Sequence, residues 1–113
     1  MALTLISTHT ASADATIDIT SGITSTYDSY EFHFVNMHPS ADSKKMRMIA
    51  SSNGGSSYGI ATTTTAFYAY HNEADTGTLL GYGASIDAAQ STSEIIIGDS
   101  TGFDNDQACS GLM

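Results

Sequence analysis

Apolar and polar residues alternate along three segments: Thr-Ile-Asp-Ile-Thr (16–20), Tyr-Glu-Phe-His-Phe-Val-Asn (30–36) and Lys-Lys-Met-Arg-Met-Ile (44–49). A strand sends successive side chains to opposite faces, whereas a helix buries one face only through a repeat of 3.6. The alternation therefore predicts extended chain with one inward side. On that side lie Ile17 and Ile19, then Tyr30, Phe32 and Phe34, then Met46 and Met48. Composition agrees. Charged residues make up 13%, against roughly 25% in ordinary soluble domains, and 16 serines and 15 threonines take their place. Disordered chains are poor in aromatic and β-branched residues; this chain is rich in the residues that fit a pleated, half-buried surface.

The strands are short and are separated by Ser, Gly, Asn and Asp turns. That pattern predicts an all-β chain, an antiparallel β-sandwich or jelly roll. The 113 residues make one domain, 1–113. The first strand is expected to open Ala-Leu-Thr-Leu-Ile-Ser-Thr-His-Thr-Ala-Ser (2–12), with Leu3 and Leu5 on one face and Thr4 on the other, and the second lies in Asp-Ala-Thr-Ile-Asp-Ile-Thr (14–20). The third, at 30–36, ends where Pro39 removes a backbone donor. The fourth, at 44–51, should turn back through Asn53-Gly54, a strong short hairpin signal. The return segment 57–71 reads as two short strands, or one with a bulge near Gly59. A strand at 77–85, one helical turn at 85–92 and a strand around Ile95 to Ile97 complete the pattern. The expected core is Leu5, Ile17, Ile19, Tyr30, Phe32, Phe34, Met46, Met48, Phe67 and Ile96. The end, Asp-Asn-Asp-Gln-Ala-Cys-Ser-Gly-Leu-Met, reads as a long turn that stops on apolar residues. The strand before it is expected to lack a partner within the chain, so the module is incomplete and a neighbouring subunit or further chain completes it.

A net charge of −9 rests on twelve carboxylates against Lys44, Lys45 and Arg47. Nucleic-acid affinity comes largely from Lys and Arg on phosphates, so no nucleic-acid partner is expected. An anionic membrane surface would repel the chain for the same reason, and no apolar run approaches the ~20 residues of a membrane span. The single cysteine, Cys109, forms no intrachain disulfide, which is compatible with a reducing cytosol. Met-Ala-Leu-Thr-Leu-Ile-Ser-Thr-His-Thr has no basic stretch of the kind that opens a signal peptide.

Three groups of residues invite a chemical interpretation. His33 and His38 with Asp28, Glu31 and Asp42 could be drawn as a metal or acid–base cluster, but no His-x-His or Cys-x-x-Cys spacing supports it. A strand and its terminator is the better reading. Asp99, Asp104 and Asp106 lie around Gly102 and form a weak calcium candidate; their order does not follow the EF-hand loop, and a surface turn explains them. Tyr68, Tyr70, His71, Glu73 and Asp75 are candidate glycan contacts, because aromatic faces stack on sugars and carboxylates accept hydroxyl protons. For catalysis there is no Gly-x-Ser-x-Gly elbow. The pairs Glu73/Asp75 and Asp104/Asp106 say nothing without their spatial separation. No catalytic residue, cofactor or metal is expected.

The run Ser-Gly-Ile-x-Ser-Thr-Tyr-x-x-Tyr-x-Phe-x-Phe-x-Asn-x-x-Pro-x-x-Asp, Ser21 to Asp42, resembles virion structural proteins of tailed phages, notably phages of marine bacteria and cyanobacteria. The Gly54-Gly55 turn, the Thr-Thr-Thr-Thr-Ala-Phe-Tyr-Ala-Tyr-His-Asn-Glu segment (62–73) and Ala89 to Thr92 have counterparts in that family in the same order. The resemblance covers residues 3 to 98 and implies a jelly-roll-type module of a fibre, appendage or capsid surface. It implies no catalytic residues. Relatives run on to further strands ending near Leu-Tyr-Gly, and this sequence stops earlier. The expected function is therefore structural and non-enzymatic, in the virion, with other virion proteins and copies of the chain as partners and a trimer as the favoured assembly. The alternative is a carbohydrate-binding module that docks on host surface glycans.

Overall fold

A computed structural model describes residues 3–113, in which no helix occurs and so none is long and apolar enough to cross a membrane. Eight strands follow in order: β1 (His33–Met37), β2 (Lys44–Met48), β3 (Thr62–Thr64), β4 (Phe67–His71), β5 (Thr78–Tyr82), β6 (Ala88–Ser91), β7 (Ile95–Thr101) and β8 (Cys109–Leu112). The chain is all-β. Its pairings are antiparallel and nested, β1 with β8, β2 with β7, β3 with β6 and β4 with β5. This is the order of one long hairpin, closed at β4–β5 and followed outward to β1–β8. The result is four two-stranded ribbons, so each strand keeps one edge without a ladder partner.

Local chemistry explains the turns and irregularities. Asn72 closes the β4–β5 hairpin: its Oδ1 accepts from the amides of Thr76 (2.8 Å) and Gly77 (2.9 Å), and its own amide donates to the Gly77 carbonyl (2.9 Å). That ladder runs in register from Phe67↔Tyr82 to His71↔Thr78. The other three ladders slip, and each contains a residue with positive φ at a slip: Asn36 (52°), Gln90 (49°) and Ser100 (54°). A bulge leaves an amide without its ladder partner, and side chains from the facing strand supply the acceptor in two cases. Asn36 N–H donates to Ser110 Oγ (3.0 Å), and Gln90 N–H donates to Thr63 Oγ1 (3.1 Å).

Several sequence expectations change. No strand forms at 3–12 or 14–20, because no backbone ladder reaches either segment; Ala2, at the start of the first, lies outside the described residues. Asn53-Gly54 does not close a hairpin, since β2 pairs with β7 and not with the strand that follows the turn. Positive φ falls on Gly54 (69°) and Gly55 (82°), and Ser51 Oγ accepts the amides of Asn53 (3.3 Å) and Gly55 (3.0 Å). The segment 57–71 does make two strands, β3 and β4. The expected helical turn is displaced: Ile86 and Asp87 amides donate to the Gly83 carbonyl (2.9 and 3.2 Å), and residues 88–91 are drawn into β6. The strand at Ile95 is not partnerless. It pairs with β2, and the C-terminal segment forms β8 against β1, extended by reciprocal bonds between Phe32 and Met113 (2.8 and 3.0 Å).

Burial is where the molecule departs furthest from an ordinary domain. Alternation holds: Tyr30, Phe32, Phe34, Met46 and Met48 are half-buried while Glu31, His33, Val35, Lys45 and Arg47 are exposed. Ile96 is half-buried too, but Leu5, Ile17, Ile19 and Phe67 are exposed, contrary to their expected core placement. No hydrophobic side chain among the described residues is fully buried. The accessible surface is 9066 Å², against about 5,900 Å² for a folded monomer of this mass. The radius of gyration is 16.0 Å, against about 13 Å for a close-packed chain of this length. Ribbons of two strands expose both faces unless another layer covers them, and here the covering layer is missing over much of the surface.

Candidate functional site

The β4–β5 ribbon carries most of the aromatic candidates. Strand alternation puts Tyr68 and Tyr70 on one face, with Leu79 and Gly81 opposite them on β5. The two rings stack, with centroids 6.3 Å apart and planes inclined by 23°. Gly81 lies beside the first ring: a Cβ there would stand 3.6 Å from Tyr68 Cε2, Cζ and the hydroxyl oxygen, an ordinary contact distance. Both tyrosines remain exposed, at 42% and 55%. The result is a stacked aromatic pair open to solvent.

The rest of the candidate glycan set is placed differently. His71 falls on the opposite face, with Phe67 and Ala69, and its Nδ1 lies 3.2 Å from the Asn72 carbonyl. Glu73 and Asp75 lie in the turn, where Asp75 adopts φ 53° and its amide donates to the Asn72 carbonyl (3.0 Å). The structure thus joins Tyr68 to Tyr70 and separates His71 from them. One carboxylate absent from the sequence candidates does meet this ribbon: Asp87 accepts the Tyr82 hydroxyl proton. That hydrogen bond, followed by desolvation, holds Tyr82 above the ordinary tyrosine pKa.

The carboxylates considered for calcium do not converge. Asp99, on β7, is engaged by Lys45 Nζ at 3.0 Å, and this hydrogen bond is the main reason its carboxyl lies below the usual pKa. Asp104 offers its backbone carbonyl to Gln107 N–H (2.8 Å) and to His38 Nε2 (2.8 Å). Among the described residues no three His, Cys, Asp or Glu side chains gather as a metal site. The histidine cluster also dissolves: His33 pairs only with exposed Glu31 (3.2 Å). His38 and Asp42 instead clasp the loop after β7. His38 bonds the Asp104 carbonyl and meets Phe103 edge-on (6.2 Å), and Asp42 Oδ1 accepts the Phe103 amide (2.8 Å).

Sequence reasoning missed this clasp, since nothing local signals a contact between residues so far apart in the chain. It also missed Arg47 on Glu94 (3.2 Å), a link across the β2–β7 ribbon. Half-buried Cys109 lines a cavity of about 200 Å³ with Phe34, Met46, Ile97, Leu112 and Met113, between the β1–β8 and β2–β7 ribbons. That apolar pocket is the nearest thing to a core.

No family model, curated protein or solved structure matches this chain.

Proposed function

We propose that the chain is a non-enzymatic structural component of a phage virion, a jelly-roll-like module of a fibre, appendage or capsid surface that assembles with copies of itself. One observation carries this reading: a nested series of strand pairs with no fully buried hydrophobic side chain among the described residues. Nested pairing of eight strands is the order of a jelly roll, whose two sheets form when such pairs join edge to edge. Here the edges are free and the apolar faces bare, so joining and covering are left to association between subunits, with a trimer as the favoured count. The sequence resemblance drawn for residues 3 to 98 is what supports the virion as the location. Mass spectrometry of density-purified particles from a phage encoding this chain tests it, and the expected result is the protein in fixed copy number per particle. Its recovery only in the soluble fraction of the lysate would overturn the proposal.

The stacked, exposed pair Tyr68–Tyr70 favours a second reading, a host-glycan contact carried by the same module. A glycan array run with and without chelator should show saturable binding that Tyr70→Ala removes. Because the acidic loop brings no three ligands together, the chelator should leave binding unchanged. Absence of saturable binding sinks this second role and leaves the structural one intact.

A further inference from the structure

Resting on the self-assembling reading above, we infer that residues 3–23 are an exchange arm that becomes a strand on the β4–β5 ribbon of a neighbouring copy. The arm has the sequence of a strand and the structure of none. Ile17 and Ile19 alternate with Thr16, Asp18 and Thr20, yet residues 3–23 make no backbone–backbone hydrogen bond with any described residue. Backbone donors and acceptors are strong, obligatory hydrogen-bonding groups, and β-branched alternation favours a sheet over solvated coil. Leu3 (74%), Leu5 (82%), Ile17 (41%) and Ile19 (40%) are all exposed.

The β4–β5 ribbon offers the complement. It has two free edges, a regular ladder without bulges, and exposed apolar residues on one face at Phe67 (80%), Leu80 (76%) and Tyr82 (57%). Its strands, Phe-Tyr-Ala-Tyr-His and Thr-Leu-Leu-Gly-Tyr, contain no Asp, Glu, Lys or Arg. Asp87 stands at that face, accepting the Tyr82 hydroxyl proton, but Asp18 turns to the opposite side when Ile17 and Ile19 align with Leu80 and Tyr82. The two-residue spacing of Ile17 and Ile19 continues the spacing of Leu80 and Tyr82, as added strands require. Area points to a second copy as the occupant. The surface of 9066 Å² exceeds that of a folded monomer by about 3,000 Å², whereas a standard interface covers only ~800 Å² per partner. An arm of 21 residues spans at most about 70 Å when extended, enough to leave a molecule 49 Å long.

Hydrogen exchange on the full chain over a range of concentrations, paired with light scattering, tests the inference. The expected result is that amides 16–20 gain at least tenfold protection as oligomers form. Ile19→Pro should abolish that protection and lower the oligomer fraction at least tenfold, while the β4–β5 amides confirm an intact ribbon. Leu80→Asp, on the acceptor face, should remove arm protection in the same way. Oligomers with an unprotected arm, or arm protection that survives Leu80→Asp, would overturn the exchange and leave self-assembly standing. A wild-type chain that stays monomeric at every concentration would overturn both.

Discussion

Tyr30 shows how much one side chain can organise. Its hydroxyl donates to the Thr24 carbonyl (2.7 Å) and accepts the Thr24 amide (2.9 Å), pinning the turn that leads into β1. Thr24's hydroxyl and amide, both facing the phenol oxygen, hold Tyr30 below the ordinary tyrosine pKa. Tyr30→Phe should lower the urea midpoint slightly, read at several protein concentrations, because it removes both bonds that hold the turn. Asp99 acts through charge. Because Lys45 depresses its folded pKa, the pair's contribution is fully present above the unfolded carboxylate value and fades as pH falls through the folded one. Asp99→Asn should therefore flatten the acid side of the stability curve and change little at alkaline pH. For so exposed a pair the loss at neutral pH is small, about 0.2–1 kcal/mol.

Among the elements, the bulged ladders have the clearest physical cost. Gln90 holds φ 49° inside β6, a region that costs a non-glycine residue roughly 1–2 kcal/mol. Its amide is already satisfied by Thr63 Oγ1, so the conformation is locked by the facing strand. Gln90→Gly should raise the midpoint of chemical unfolding, a net gain of about 0.5–1 kcal/mol after glycine's extra unfolded-state entropy. The ribbons differ in robustness. Register in β4–β5 is set by Asn72 within its own turn, whereas β1–β8 and β2–β7 rely on links such as His38 to Asp104 and Lys45 to Asp99. The inner hairpin can thus form from local contacts, and the outer pairs must wait for distant ones.

The whole molecule exposes 9066 Å², well above the surface of a folded monomer of its mass, and the self-association proposed above covers that excess. Stability should therefore rise with protein concentration, because anything that binds the folded state shifts unfolding by mass action. Thermal melts over a thousandfold concentration range should move upward steadily; a midpoint independent of concentration would refute this. Salt should act in the same direction. Copies of net charge −9 repel one another, and at 0.1 M ionic strength that repulsion is screened beyond about 10 Å. Sedimentation in low and moderate salt should show the larger species gaining as salt rises.

Alternation was legible from the chain alone. The half-buried faces of Tyr30, Phe32 and Phe34 and of Met46 and Met48 follow from the two-residue period of extended backbone, a property of local sterics. The Tyr68–Tyr70 stack follows from the same period. Pairing was not legible. Nothing near His33 announces Leu112, nothing near Met46 announces Gly98, and nothing in the His38–Asp42 turn announces Phe103. Strand partners are chosen by backbone hydrogen bonds between distant segments, and those groups are chemically alike at nearly every residue. Only the tertiary structure could decide that Asn53-Gly54 turns without making a hairpin, that the C-terminus closes on β1, and that Ile17 and Ile19 find no ladder in their own chain.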